Sequence, residues 1–132
     1  VKESLAAWLE KPKGLILNVI AEQKPGLRAK TIRLHRTGND LAIVMASAVY
    51  RLENGIVKNL GIAMGGFGHR AEKRPDLAAL FEGKALPSKE EIEKSAKPLL
   101  KAISDKRGSA EYKEHMGATI LADVLFGAEE QK

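Results

Sequence analysis

The sequence predicts an α+β fold, an antiparallel sheet of three to four strands followed by about three helices packed on one face. Three observations lead there. Strand-like patterning is confined to the first half of the chain, where residues 30–37 set Ile32 and Leu34 against Thr31, Arg33 and His35, the period of two expected of a half-buried strand. Asn54-Gly55 joins two apolar runs, and both residues tolerate the positive φ of a tight hairpin turn. After the lead-in, helix-start signals lie in the second half: the capping box Ser88-Lys89-Glu90-Glu91, and Ser109 followed by Glu111 in a first helical turn.

The elements follow in order. Residues 1–13 form a lead-in in which residues 4–9 make a helical turn stopped by Lys11-Pro12-Lys13-Gly14. Residues 15–21 are a short apolar run, read as a first strand and closed by the turn Lys24-Pro25-Gly26. Residues 30–37 give a second strand, broken by Thr37-Gly38-Asn39-Asp40. Residues 41–52, rich in small and β-branched side chains, read as a long strand buried on both faces. Residues 56–64 return with Leu60, Ile62 and Met64 on one face. Strands two to four thus make an antiparallel meander.

At Gly65-Gly66-Phe67-Gly68 the character changes. Residues 75–81 read as a short helix with Pro75 in its first turn and Gly83 as its stop. Ser88 opens a helix with Ile92, Ala96, Leu99, Leu100 and Ile103 on one face, kinked by Pro98. The last helix runs from Ser109 to about Phe126. Its Tyr112, Met116, Ile120 and Val124 recur every fourth residue beside Leu121 and Leu125, which places Tyr112 toward the core.

Composition narrows the function classes. With 132 residues the chain is sized for one domain, and no cysteine is present, so disulfides, thiolate metal sites and a cysteine nucleophile are excluded within it. No apolar run approaches the roughly 20 residues of a membrane span, and nothing resembles a signal peptide, so a cytoplasmic location is expected. The formal charge of +5 is carried by residues 1–37, with eight Lys or Arg against three Glu. That implies either an anionic partner or a solvated strand face. The chain starts at Val1 in mid-pattern, so a piece of a longer polypeptide is expected. In that reading residues 1–13 are a linker, 14–128 the domain and 129–132 a polar tail.

The catalytic inventory is thin. His35, His69 and His115 show no metal-ligand spacing, and Ser47, Ser95 and Ser104 sit in no nucleophile elbow. Glu90, Glu91 and Glu93 read as helix N-terminal charge rather than paired catalytic carboxylates. The glycines at 65–68 lack the spacing of a phosphate-binding loop and read as a sharp strand-to-helix turn. The best cluster is Arg33, His35 and Arg36 with Lys30 close by. Strand alternation puts Arg33 and His35 on one face, a group able to hold a flavin or nucleotide phosphate. Aromatic residues make up 5% of the chain, few for stacking single-stranded nucleic acid, and no motif supports nucleic-acid binding.

Four segments in order carry a family resemblance: Arg36-Thr37-Gly38-Asn39-Asp40-Leu41-Ala42-Ile43-Val44; Val49-Tyr50-Arg51-Leu52-Glu53-Asn54-Gly55 with Ile56; Ile62-Ala63-Met64-Gly65-Gly66; and Ser104-Asp105-Lys106-Arg107-Gly108-Ser109-Ala110-Glu111-Tyr112-Lys113. Together they resemble the C-terminal domain of the FAD-binding (medium) subunit of the molybdenum hydroxylases, which include xanthine dehydrogenase and aerobic carbon monoxide dehydrogenase.

The resemblance implies a small α+β domain that follows a larger FAD-binding N-terminal domain, whose glycine-rich diphosphate motifs this chain lacks. It implies partner subunits holding the molybdenum cofactor and iron–sulfur clusters, with electrons passing through FAD to an acceptor. The chain alone is then expected to be inactive. By position the resemblance assigns Ile16 as an aliphatic residue beside the flavin, Arg33 as the basic residue, and residues 36–40, with Arg36 and Asp40, as the flanking loop. The family usually has lysine at or one place before Arg33, where this chain has Ile32; a shifted register would give the role to Lys30 instead. The family's proline after the glycine pair is replaced by Gly68-His69-Arg70. The rival reading is a non-catalytic interaction module whose basic face docks an acidic protein or nucleic acid.

Overall fold

The computed structural model describes residues 2–130. Three long strands, β1 (Arg28–Leu34), β2 (Val44–Glu53) and β3 (Ile56–Gly65), form the expected antiparallel meander. Two-residue strands β4 (Glu72–Lys73) and β5 (Glu129–Glu130) flank it, giving the order β4-β3-β2-β1-β5. Helix α1 (Leu5–Glu10) precedes the sheet, and α2 (Pro75–Phe81), α3 (Lys89–Ala96) and α4 (Ala110–Phe126) follow it. The α+β architecture is as the sequence predicts. The expected polar tail contributes β5, which pairs with Arg28 and Ala29; Val1 and residues 131–132 lie outside the described residues.

Local signals place most element ends. Asn54 (φ 52°) and Gly55 (φ 78°) turn the β2–β3 hairpin. Ser88 and Glu91 form the capping box of α3, and the Ser109 hydroxyl accepts the Tyr112 amide at 3.2 Å to cap α4. Pro98 does not kink a continuing helix. Because proline lacks an N–H and clashes with the preceding turn, α3 ends at Ala96 and passes into one 3-10 turn, Lys97–Leu99. Ile92, Ala96 and Leu100 stay on the buried face, whereas Leu99 and Ile103 emerge into solvent.

The core lies between one sheet face and α2, α3 and α4. Val44, Ala46, Ala48 and Tyr50 of β2 meet Leu121, Val124 and Leu125 of α4 there. The buried Tyr50 hydroxyl donates to the Leu125 carbonyl at 2.5 Å, and burial pushes its pKa up, keeping the phenol a neutral donor. The β2–β3 register slips between Val49 and Arg51, so Asn59 and Leu60 bulge opposite Tyr50. The Glu82 carboxylate accepts both bulge amides, from Asn59 at 2.9 Å and Leu60 at 2.7 Å. The bulge changes the parity of β3: Val57 is buried before it, Ile62 and Met64 after it.

Three further expectations fail. Residues 15–21 form no strand; they run without regular structure, with Leu15 83% and Leu17 81% exposed. Strand β2 starts at Val44 and is buried on one face only, because helices cover only one side of the sheet. Tyr112 is 43% exposed, and Lys113 is buried in its place. At the first turn of α4 the inward face runs through Lys113 and Gly117, since Asp105 and the Ile103 carbonyl satisfy the Lys113 ammonium inside the fold.

Candidate functional site

The site predicted around Arg33 sits where β1 runs out. Strand alternation puts Ala29, Thr31 and Arg33 on the sheet face turned away from the helices. Their partners there are Val49, Ser47 and Met45 of β2, then Gly61, Ala63 and Gly65 of β3. These are mostly small side chains, and a groove of about 780 Å³ runs over Thr31, Ser47, Val49, Gly61 and Ala63. The Thr31 and Ser47 hydroxyls bond to each other at 2.8 Å, so the floor is largely apolar.

Arg33 is exposed, and its guanidinium donates to the Gly38 carbonyl at 3.4 Å. Lys30 lies on the opposite face: a side chain added at Gly127, beyond α4, would meet its ammonium. Lys30 therefore does not share Arg33's position. His35 lies beyond Leu34, where the pairing ends, and its Nδ1 is buried without a hydrogen-bond partner among the described residues.

Residues 35–43 connect β1 to β2. The Asp40 amide donates to the Thr37 carbonyl at 3.0 Å, and the Asp40 carboxylate accepts the Leu41 amide at 2.8 Å. The aspartate thereby shapes the turn it occupies. Arg36 leaves the loop and donates to the Lys106 and Arg107 carbonyls at 3.2 and 3.4 Å. Arg33, Arg36 and Asp40 thus belong to one hydrogen-bonded corner. Ile16 does not belong to the sheet; it is 40% exposed in the stretch before it.

Two features escaped sequence reasoning. Leu41 is 68% exposed at the tip of this corner, although the pattern reads it as the start of a strand. Arg107 reaches back to the Ala42 carbonyl at 3.3 Å while its guanidinium pairs with Asp105 at 2.7 Å. Asp105 also pairs with the buried Lys113 at 2.9 Å. The Arg107 hydrogen bonds, then the Lys113 bond, hold the Asp105 carboxyl well below the usual carboxylate range, and the pairing raises Arg107.

Gly66 has φ 94°, and a Cβ there would stand 2.2 Å from the Ile43 carbonyl oxygen, so backbone already fills that space. Among the described residues no group of three or more His, Asp or Glu could hold a metal ion.

The sequence profile described as CO dehydrogenase flavoprotein C-terminal domain matches residues 32–127. The fold is similar to carbon monoxide dehydrogenase from Hydrogenophaga pseudoflava, in a form lacking the Mo-pyranopterin moiety of the molybdenum cofactor, with TM-score 0.70 and 26% identity over 78% of this chain and 37% of that one. It also matches quinoline 2-oxidoreductase from Pseudomonas putida 86, with TM-score 0.68 and 24% identity over 79% of this chain and 37% of that one. Reconstituted CO dehydrogenase from Oligotropha carboxidovorans gives TM-score 0.68 and 21% identity over 76% and 36%. The last two likenesses speak for the fold alone. This chain spans little more than a third of the length of each. Curated protein sequences give no match.

Proposed function

Because the chain belongs to the CO dehydrogenase flavoprotein C-terminal domain family, we propose that it closes one side of a flavin site in the FAD-binding subunit of a molybdenum hydroxylase. Residues 1–13 lead in from the FAD-binding domain, and residues 14–128 are the closing domain. The single observation that carries this reading is the corner of Arg33, Arg36, Asp40 and Leu41, exposed at the end of the open sheet face inside the matched span.

These residues fit the edge of a flavin ring and not its diphosphate. Leu41 offers an apolar contact, and Arg33 a cation that donates to the Gly38 carbonyl at 3.4 Å. The chain carries no glycine-rich diphosphate motif. FAD, when held by the whole subunit, supplies the electron exchange between iron–sulfur clusters on a partner subunit and an external acceptor. Arg33 complements negative charge beside it, Ile16 reaches it from the irregular stretch before β1, and the turn at residues 36–40 limits access from solvent. Among the described residues no helix is long and apolar enough to cross a membrane.

The test is Arg33→Ala in the whole subunit. Flavin content and flavin reduction should both fall; if both stay unchanged, the role assigned to Arg33 is wrong. The chain by itself should bind FAD weakly or not at all, and micromolar affinity in a flavin titration would contradict the division of labour with the preceding domain.

A further inference from the structure

Two segments far apart in sequence, residues 107–108 and Gly66, converge on Ala42 and Ile43. Arg107 donates to the Ala42 carbonyl. Gly66 presses its backbone against the Ile43 carbonyl, where no side chain would fit. Gly108 faces the Ile43 side chain, so that a Cβ there would stand 3.6 Å from Ile43 Cγ2. From the other direction Arg36 grips the Lys106 and Arg107 carbonyls. The corner at residues 36–43 is therefore held at both ends by the turn at residues 105–108.

That turn is itself rigid. Asp105 and Gly108 exchange two backbone hydrogen bonds, each 3.1 Å. Asp105 Oδ1 accepts the Arg107 amide at 2.8 Å, while Oδ2 accepts Arg107 Nη2 at 2.7 Å and Lys113 Nζ at 2.9 Å. Lys113 is wholly buried and also donates to the Ile103 carbonyl at 2.9 Å. The arrangement is more than a helix cap requires, because Ser109 already caps α4. It aims a guanidinium at Ala42.

We propose that Arg107, set by Asp105 and Lys113, is a positioning residue for the flavin-facing corner at residues 36–43. The geometry of the grip stands by itself; its bearing on flavin rests on the function proposed above. A guanidinium suits the task because one face can chelate a carboxylate while another N–H reaches a carbonyl, which an ammonium cannot do.

The test has two arms. In hydrogen exchange on the chain, Arg107→Met should speed exchange of the Ile43 and Asp40 amides by about tenfold or more, while amides in the middle of α4 keep their protection. Arg107→Lys should not restore them. Should Arg107→Met fold poorly, Arg36→Gln breaks the same grip from the exposed side and should loosen the same amides. Unchanged Ile43 exchange, or an increase matched throughout α4, overturns the positioning role. In the flavin-loaded subunit, Arg107→Met should alter the visible circular dichroism of the flavin. A loosened corner with an unaltered flavin spectrum upholds the positioning and overturns the corner's place beside the flavin.

Discussion

The two faces of the same three strands are built from the same alternation and to opposite ends. On the helix side β2 presents Val44, Ala46, Ala48 and Tyr50, all at most 4% exposed and roofed by α4. On the other side it presents Met45, Ser47 and Val49, with Thr31 and Ala63 beside them, over an open groove. Stability is concentrated on the first face. The second face, with the corner at its end, is free to meet something else. A strand of small and β-branched residues thus need not be buried on both sides.

The largest effect that tests this contrast comes from the covered face. Leu121 is fully buried between α4 and the sheet. Leu121→Ala should lower unfolding free energy by about 3 kcal/mol, through lost transfer energy and the cavity left behind. Chemical denaturation with an unchanged m-value measures it. A loss under about 1 kcal/mol would mean that this layer is not the core.

How far such positions could be read from sequence depends on the range of the forces that set them. Asn54-Gly55, Ser88 with Glu91, and Ser109 act on their own backbone, and each lies where the sequence puts it. Sheet order and one-sided helix packing follow from alternation and element sequence. The bulge at Asn59 was not legible, because the Glu82 carboxylate that accepts its amides lies 23 residues on. Tyr112 is expected toward the core, and Lys113 is buried there instead, for a similar reason: hydropathy turns lysine outward, and only the Asp105 partner in the folded turn reverses that. In the candidate site Arg33 and Arg36 stood out as cations near a glycine turn. The exposure of Leu41 and the reach of Arg107 to Ala42, across 65 residues, did not.

A smaller effect separates the anchoring of α4 from the packing of its body. Ser109→Ala removes the hydroxyl that accepts the Tyr112 amide and should cost about 1 kcal/mol in the same denaturation experiment. The Ser104 hydroxyl accepts the Ala110 amide at 2.8 Å, so the first turn keeps one partner and the helix should retain its far-UV circular dichroism. Complete unfolding would show that the cap, rather than the buried face, holds α4 in place.

Acid should act on the corner before it acts on the core. The folded-state pKa of Asp105 is depressed, chiefly by its bonds to Arg107 and then to Lys113. The stabilisation it gives is therefore fully present above the ordinary carboxylate pKa and fades as pH falls from there through the depressed folded value. Exchange at Ile43, corrected for the intrinsic rate, should accelerate over that acid window while amides near Leu121 stay protected. Equal acceleration at both places would erase the distinction between corner and core.

The sharpest test places one substitution on both faces, with its smallest effect on the open one. Valine to threonine keeps shape and β-branching and replaces a methyl with a hydroxyl. At Val57, which is fully buried, the hydroxyl must leave water with no partner prepared for it, and a cost of about 1–3 kcal/mol is expected. At Val49, 38% exposed on the open face, the hydroxyl stays hydrated, and stability should change by less than about 0.5 kcal/mol. Equal costs at the two positions would mean that the open face is as dry as the core.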